Sequence, residues 1–174
     1  MEQKNVPASK GAINYGILLS IALIIYSLLL FVLGLDSHPW LNYLSYIIMI
    51  VGIYLATVNF RNKYQDGLIS YGKAVGVGFF TVLVASVIMA VYTFIYFSYI
   101  NPDVFQQAMI EAEQRMLEEG MSDMQVDQAL SMMERFQKPW VSTIFAFLGN
   151  ILIGLVIALI TSIFIKREEP KVQE

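Results

Sequence analysis

Side chains that do chemistry are scarce in this chain. His38 is its one histidine, and there is no cysteine. A thiolate nucleophile, a thiolate metal site and a disulfide are therefore excluded, and a hydroxyl nucleophile has a single imidazole to draw on. His38 itself stands beside Pro39 in a tight turn and reads as a surface residue rather than a ligand or pH sensor. No H-E-x-x-H, no G-x-S-x-G and no phosphate-cradling glycine loop occurs. The chain is expected not to be an enzyme, to hold no cofactor or metal, and to bind no nucleic acid.

Three features with chemical character remain. Asn150 is an amide in the middle of an apolar stretch, with Asn14 and Asn59 nearer the ends of two others. An amide in hydrocarbon is costly until it meets another helix, a water or a ligand. It is either a structural hydrogen bond worth about 0.6 kcal/mol or a polar site, with Tyr26, Tyr54, Tyr92 and Thr93 as candidate neighbours. Six of the nine methionines, Met109, Met116, Met121, Met124, Met132 and Met133, fall in one polar segment. Thioethers bind Cu(I), but without cysteine and with one histidine they read better as an adaptable packing or partner surface. Met109, Met116, Met121, Met124, Met133 and Phe136 are the candidate residues of that surface. The same segment carries eight carboxylates, from Asp103 to Glu134. They would attract cations or a basic partner, or form a solvated face.

The elements that position these residues follow from where charge is missing. Apolar residues make up 57% of the 174 and charged residues 14%, which leaves too little polar surface for a water-soluble domain. No Asp, Glu, Lys or Arg occurs in residues 11–35, 37–60, 74–102 or 139–165. About 20 apolar residues in a helix cross a hydrocarbon core of about 30 Å. A charge at mid-span would cost about 2.5–3.5 kcal/mol, while each Leu, Ile, Phe or Val returns about 0.3–0.6. Four spans are expected, at about 12–33, 40–60, 71–100 and 140–165, in one membrane domain. No carboxylate falls inside them, which weighs against proton- or sodium-coupled transport. The lysines before the first span resemble a signal peptide, but the run is too long and no cleavage site follows.

Gly34 fits a helix C-cap, Asp36 and Ser37 an N-cap region and Pro39 a first turn, so the first two spans form an antiparallel hairpin. Ser70 fits a cap for the third. Residues 101–138 read as a pair of helices. Asn101-Pro102-Asp103 opens the first, Gly120 ends it, and Ser122 with Gln125 forms a capping box for the second. Val104, Ala108, Ala112 and Met116 line one apolar face, and Val126, Ala129, Leu130, Met133 and Phe136 the other. Glu111–Arg115 and Glu134–Lys138 have the spacing of supporting ion pairs. Trp40, Trp140, Tyr64, Tyr71 and Tyr99 lie where spans meet headgroups.

Within the fourth span Ala146, Asn150, Gly154, Ala158 and Ser162 recur every fourth residue, placing small or polar groups in one line. Lipid cannot drive apolar helices together, so close backbone approach and hydrogen bonds must do it. The line is a helix-packing face, within the bundle or between copies. Ala12, Gly16 and Ser20, Gly52 and Ala56, and Gly72 and Gly76 are weaker versions in the other spans. Lys4, Lys10, Arg61, Lys63, Lys73, Lys166, Arg167 and Lys171 collect at the end that holds both termini, against Arg115, Arg135 and Lys138 at the other. That excess marks the cytoplasmic side and leaves the helical hairpin extracytoplasmic.

"DGLISYGKAVGVGFF" entering the third span, then "YINPD" and a helical hairpin before the fourth, resembles an uncharacterised family of four-span bacterial membrane proteins, domain of unknown function 4199. Ile69 to Ala74 and Ile100 to Pro102 carry the likeness, which extends over nearly the whole chain. The resemblance implies a four-span all-α fold in a bacterial cytoplasmic (inner) membrane, and no activity. The leading functional expectation is a non-catalytic membrane protein, structural or partner-binding through the hairpin, with a membrane protein or a second copy as partner. A small permease or channel subunit with a polar site near Asn150 is the alternative.

Overall fold

The computed structural model describes residues 6–35 and 38–167. Lys4, Lys171 and the expected capping pair Asp36 and Ser37 lie outside them. Six α-helices follow one another: α1 (Ser9–Val32), α2 (Pro39–Tyr64), α3 (Tyr71–Ile95), α4 (Val104–Glu118), α5 (Asp123–Phe136) and α6 (Pro139–Ile165). Among the described residues, four segments are long and apolar enough to cross a membrane: Ser9–Val32, Trp40–Tyr64, Tyr71–Ile100 and Pro139–Ile165. The chain is an all-α multi-pass membrane protein, with a helical hairpin between its third and fourth spanning helices.

The helix ends follow from backbone chemistry. α1 closes on Gly34 at φ +66°, where Leu35 N–H reaches back to the Leu30 carbonyl at 2.8 Å and Gly34 N–H to Phe31 at 3.0 Å. That left-handed turn satisfies carbonyls that would otherwise face the membrane boundary unpaired. His38 occupies the position before α2, and Pro39 fills a first turn that needs no N–H. α2 runs one turn past the expected end at Phe60, to Tyr64. Arg61 and Lys63 in that turn suit the negative end of the helix dipole. α3 gives way at Tyr96 to a π-helical turn, Tyr96–Ile100, closed by Asn101 N–H to the Tyr96 carbonyl at 2.8 Å.

The chain divides into two compact units, Met1–Met89 with Leu148–Glu174, and Ala90–Phe147. In the first, Leu19, Leu23, Met49, Ile53, Val82, Ala85, Ile157 and Ala158 form one core cluster drawn from α1, α2, α3 and α6. Ala56, Phe60, Ile69, Ala74, Val77 and Ile165 form a second. Two buried threonine hydroxyls there turn back on their own helices. Thr57 donates to the Ile53 carbonyl at 2.9 Å, and Thr81 to Val77 at 2.8 Å, so neither of these donors is stranded in the apolar interior. Tyr26 donates to the Leu41 carbonyl at 2.7 Å, tying α1 to the first turn of α2.

In the second unit, α4 and α5 pack along each other as the expected hairpin. Gly120 at φ +80° ends α4, with Met121 N–H on the Met116 carbonyl and Gly120 N–H on Leu117, both 3.0 Å. The capping box at α5 forms, Ser122 N–H donating to Gln125 Oε1 at 3.0 Å. The start of α4 differs from expectation. The helix begins at Val104, Asp103 makes no side-chain cap, and the Asn101 amide lies 3.4 Å from the Tyr96 hydroxyl. Of the two expected ion pairs, Glu111–Arg115 forms at 3.7 Å. α5 ends at Phe136, before Lys138, so the helical spacing that would bring Lys138 to Glu134 is not kept.

Candidate functional site

The fourth-span ladder is best followed one residue at a time. Gly154, Ala158 and Ser162 are buried. Ala146 and Asn150 are half-buried, and Ala146 belongs to the second unit. A Cβ on Gly154 would overlap Val82 of α3, lying 2.7 Å from its Cγ2. Ala158 meets Gly78 of α3, where an added Cβ would come 2.8 Å from the Ala158 Cβ. Two helices therefore approach backbone to backbone, with glycine on each alternately accepting the other's side chain. Ser162 is 1% exposed, and its hydroxyl has no hydrogen-bond partner among the described residues.

The other small-residue lines sort differently. Ala12, Gly16 and Ser20 are buried. Gly16 faces the Thr81 carbonyl, which a Cβ would approach to 2.8 Å, so α1 also lies against the α3 backbone. Gly52 receives Leu19, and Ala56 is fully buried. On α3 the expected pair was Gly72 and Gly76, but Gly72 faces open space and Gly76 meets only the Ala8 side chain at 3.6 Å. The packed stripe is instead Ala74, Val77, Gly78, Thr81, Val82 and Ala85. Ala74 and Gly78, four apart, carried the signal in the sequence. It was masked by a second pair of glycines in another phase.

Asn150 and Ser86 are the polar residues lining a cavity of about 10 Å³ in the first unit, otherwise walled by side chains such as Leu19, Met49, Val82 and Met89. About 10–15 Å³ is what one water needs. One water is also the least that would satisfy a midplane amide lacking a helix partner. Tyr26, a candidate neighbour of Asn150, spends its hydroxyl on Leu41, and Tyr54 is exposed. Tyr92 stacks against Tyr96 with ring centroids 5.8 Å apart in the second unit.

Met109, Met116, Met121 and Met133 of the hairpin are half-buried where α4 and α5 pack. Met124 and Phe136 are exposed, at 78% and 56%. Ile110, Leu117 and Met132, absent from the expected surface, are exposed beside them in sequence. Val126 is the buried residue of α5. The methionines thus divide into an inner set filling the hairpin and an outward set.

At the end of the first unit that carries the α2–α3 connection, two links were invisible to sequence spacing. Arg61 Nη1 donates to the Ile165 carbonyl at 3.1 Å, capping α6 with a cation where its dipole is negative. Ile69 and Arg167 exchange two backbone hydrogen bonds, at 2.8 and 3.0 Å, as an isolated antiparallel bridge. Lys73 donates to Gln65 Oε1 at 3.2 Å. No curated protein and no solved structure matches the chain. The hairpin, three of the four apolar helices and all but the first residues of α1 lie within residues 14–167, the stretch matched by the family model described as protein of unknown function DUF4199, and the chain belongs to that family.

Proposed function

We propose that this protein is a non-catalytic component of a membrane, whose four spanning helices anchor a hairpin that binds a membrane-protein partner. The observation that carries this reading is the outward apolar set on the hairpin, with Met124 the most exposed of it at 78%. Flexible thioether side chains conform to partner surfaces at little cost in fit. The shortage of nucleophiles and bases supports the non-catalytic part, and the one-water space beside Asn150 favours a packing role there over a substrate passage. The Lys and Arg excess at the end that holds the α2–α3 connection supports termini in the cytoplasm of a bacterial inner membrane and a hairpin outside it.

The test is site-specific photocross-linking in intact membranes. A photoreactive residue at Met124 or Met132 is expected to give a discrete adduct, either a homodimer or a complex with one other protein, while one at the exposed Arg115, turned away from Ile110 and Leu117 on α4, gives none. Absence of any adduct from both hairpin positions, with the chain present at normal level, would end the partner-binding reading.

A further inference from the structure

A groove of about 270 Å³ on the surface of the first unit is lined by Ile50 of α2 and by Ile157, Ile160, Thr161 and Phe164 of α6. The α6 residues follow i, i+3, i+4, i+7, so they form one stripe leading toward the helix end. On α2, Arg61 stands eleven residues after Ile50, about three turns, and therefore on the same face. The two stripes converge chemically at that end. Phe164 precedes Ile165, whose carbonyl accepts from Arg61, and the exposed Lys166 and Arg167 follow. Among the described residues no carboxylate pairs with Arg61, Lys166 or Arg167.

Distances along the helices identify the occupant. Eleven residues of α-helix rise about 16 Å, and half of a hydrocarbon core is about 15 Å. A molecule with an anionic group among the three cations and a chain in the groove would therefore span one leaflet. We infer that the α2–α6 groove is a binding site for an anionic glycerophospholipid, with one acyl chain against Ile50, Ile160 and Phe164 and its phosphate among Arg61, Lys166 and Arg167. A free phosphate would not use the groove, and a neutral lipid would not use the cations. Arg61 keeps guanidinium donors beyond those given to Ile165 and Asn62, so capping α6 and holding a phosphate are compatible.

The test uses the full chain in nanodiscs of equal parts phosphatidylcholine and phosphatidylglycerol, with retained lipid counted by native mass spectrometry after gentle release. Phosphatidylglycerol should be retained in preference. K166Q/R167Q, which leaves the Arg61 cap in place, should reduce that preference by about fivefold for each charge removed. I160W, which fills the groove, should abolish retention of phosphatidylglycerol while the protein stays monodisperse, and glycerol 3-phosphate should not displace the lipid. Equal retention of the two lipids, a preference unmoved by K166Q/R167Q, or retention unaffected by I160W would each overturn the assignment. These readouts are independent of whether the hairpin captures a partner.

Discussion

At the scale of single residues, the seam between α3 and α6 depends on atoms that are missing. Gly154 lets Val82 in and Gly78 admits Ala158, so each glycine converts an absent side chain into backbone proximity. In hydrocarbon that contact and the dispersion it brings are the main attraction available between helices. Gly154→Leu should lower stability by about 1–3 kcal/mol, the usual range for overpacking, seen as a lower unfolding midpoint in a detergent titration. Pairing Gly154→Ala with Val82→Ala should restore most of the stability lost by Gly154→Ala alone, because the clash is with the Val82 side chain. Independent, additive losses would show that the seam is not where these two helices meet. Ser162 is the contrasting case on the same ladder: its small size fits the seam, but its hydroxyl gains nothing there.

At the scale of elements, the hairpin and the spans obey different solvents. α4 and α5 carry exposed charged residues along their length, and their ends are set by local hydrogen bonds such as the capping box at Ser122 and the left-handed turn at Gly120. Ser122→Ala should cost about 1 kcal/mol, read as faster amide exchange across Asp123–Val126 with α1 and α2 unchanged. Slower or unaltered exchange would mean that the box does not hold the helix start. The same difference in solvent governs what could be read from the sequence. Hairpin ends at Gly120 and Ser122 were legible because polar and apolar residues alternate with helical period around them. Each span was legible from the absence of charge alone, but which face packs was not, since every face is apolar. Only small residues mark the phase. On α6 the line Gly154, Ala158 and Ser162 marks it correctly, although Gly149 lies off that line and faces open space, whereas on α3 the glycines at 72 and 76 competed with Ala74 and Gly78 and pointed the wrong way. The Arg61 cap and the Ile69–Arg167 bridge were illegible for another reason: they join residues about a hundred positions apart, and no periodicity encodes that.

At the scale of the whole molecule, charge divides by position in the chain. Among the described residues, Lys10, Arg61, Lys63, Lys73, Lys166 and Arg167 flank the spans at the termini and the α2–α3 connection, while Asp66 is the carboxylate of that group. An even number of spans should return both termini to one side. Because the chain has no cysteine of its own, single cysteines report cleanly. Met124→Cys should react with a membrane-impermeant maleimide added outside intact cells, and Ser70→Cys only after lysis. The reverse pattern would invert the proposed orientation, and reaction of both from one side would remove a span.

The clasp at the end of α6 also sets a schedule. Arg61 and Ile69 leave the ribosome long before Ile165 and Arg167, so their partners do not yet exist when α2 and α3 enter the bilayer. Until the last helix arrives, the grooves over Gly78 and Val82 stay unfilled and the α2–α3 connection stays unfastened. The earlier helices must therefore wait as an incomplete set, which makes the arrival of α6 the step that commits the newborn chain to its final form.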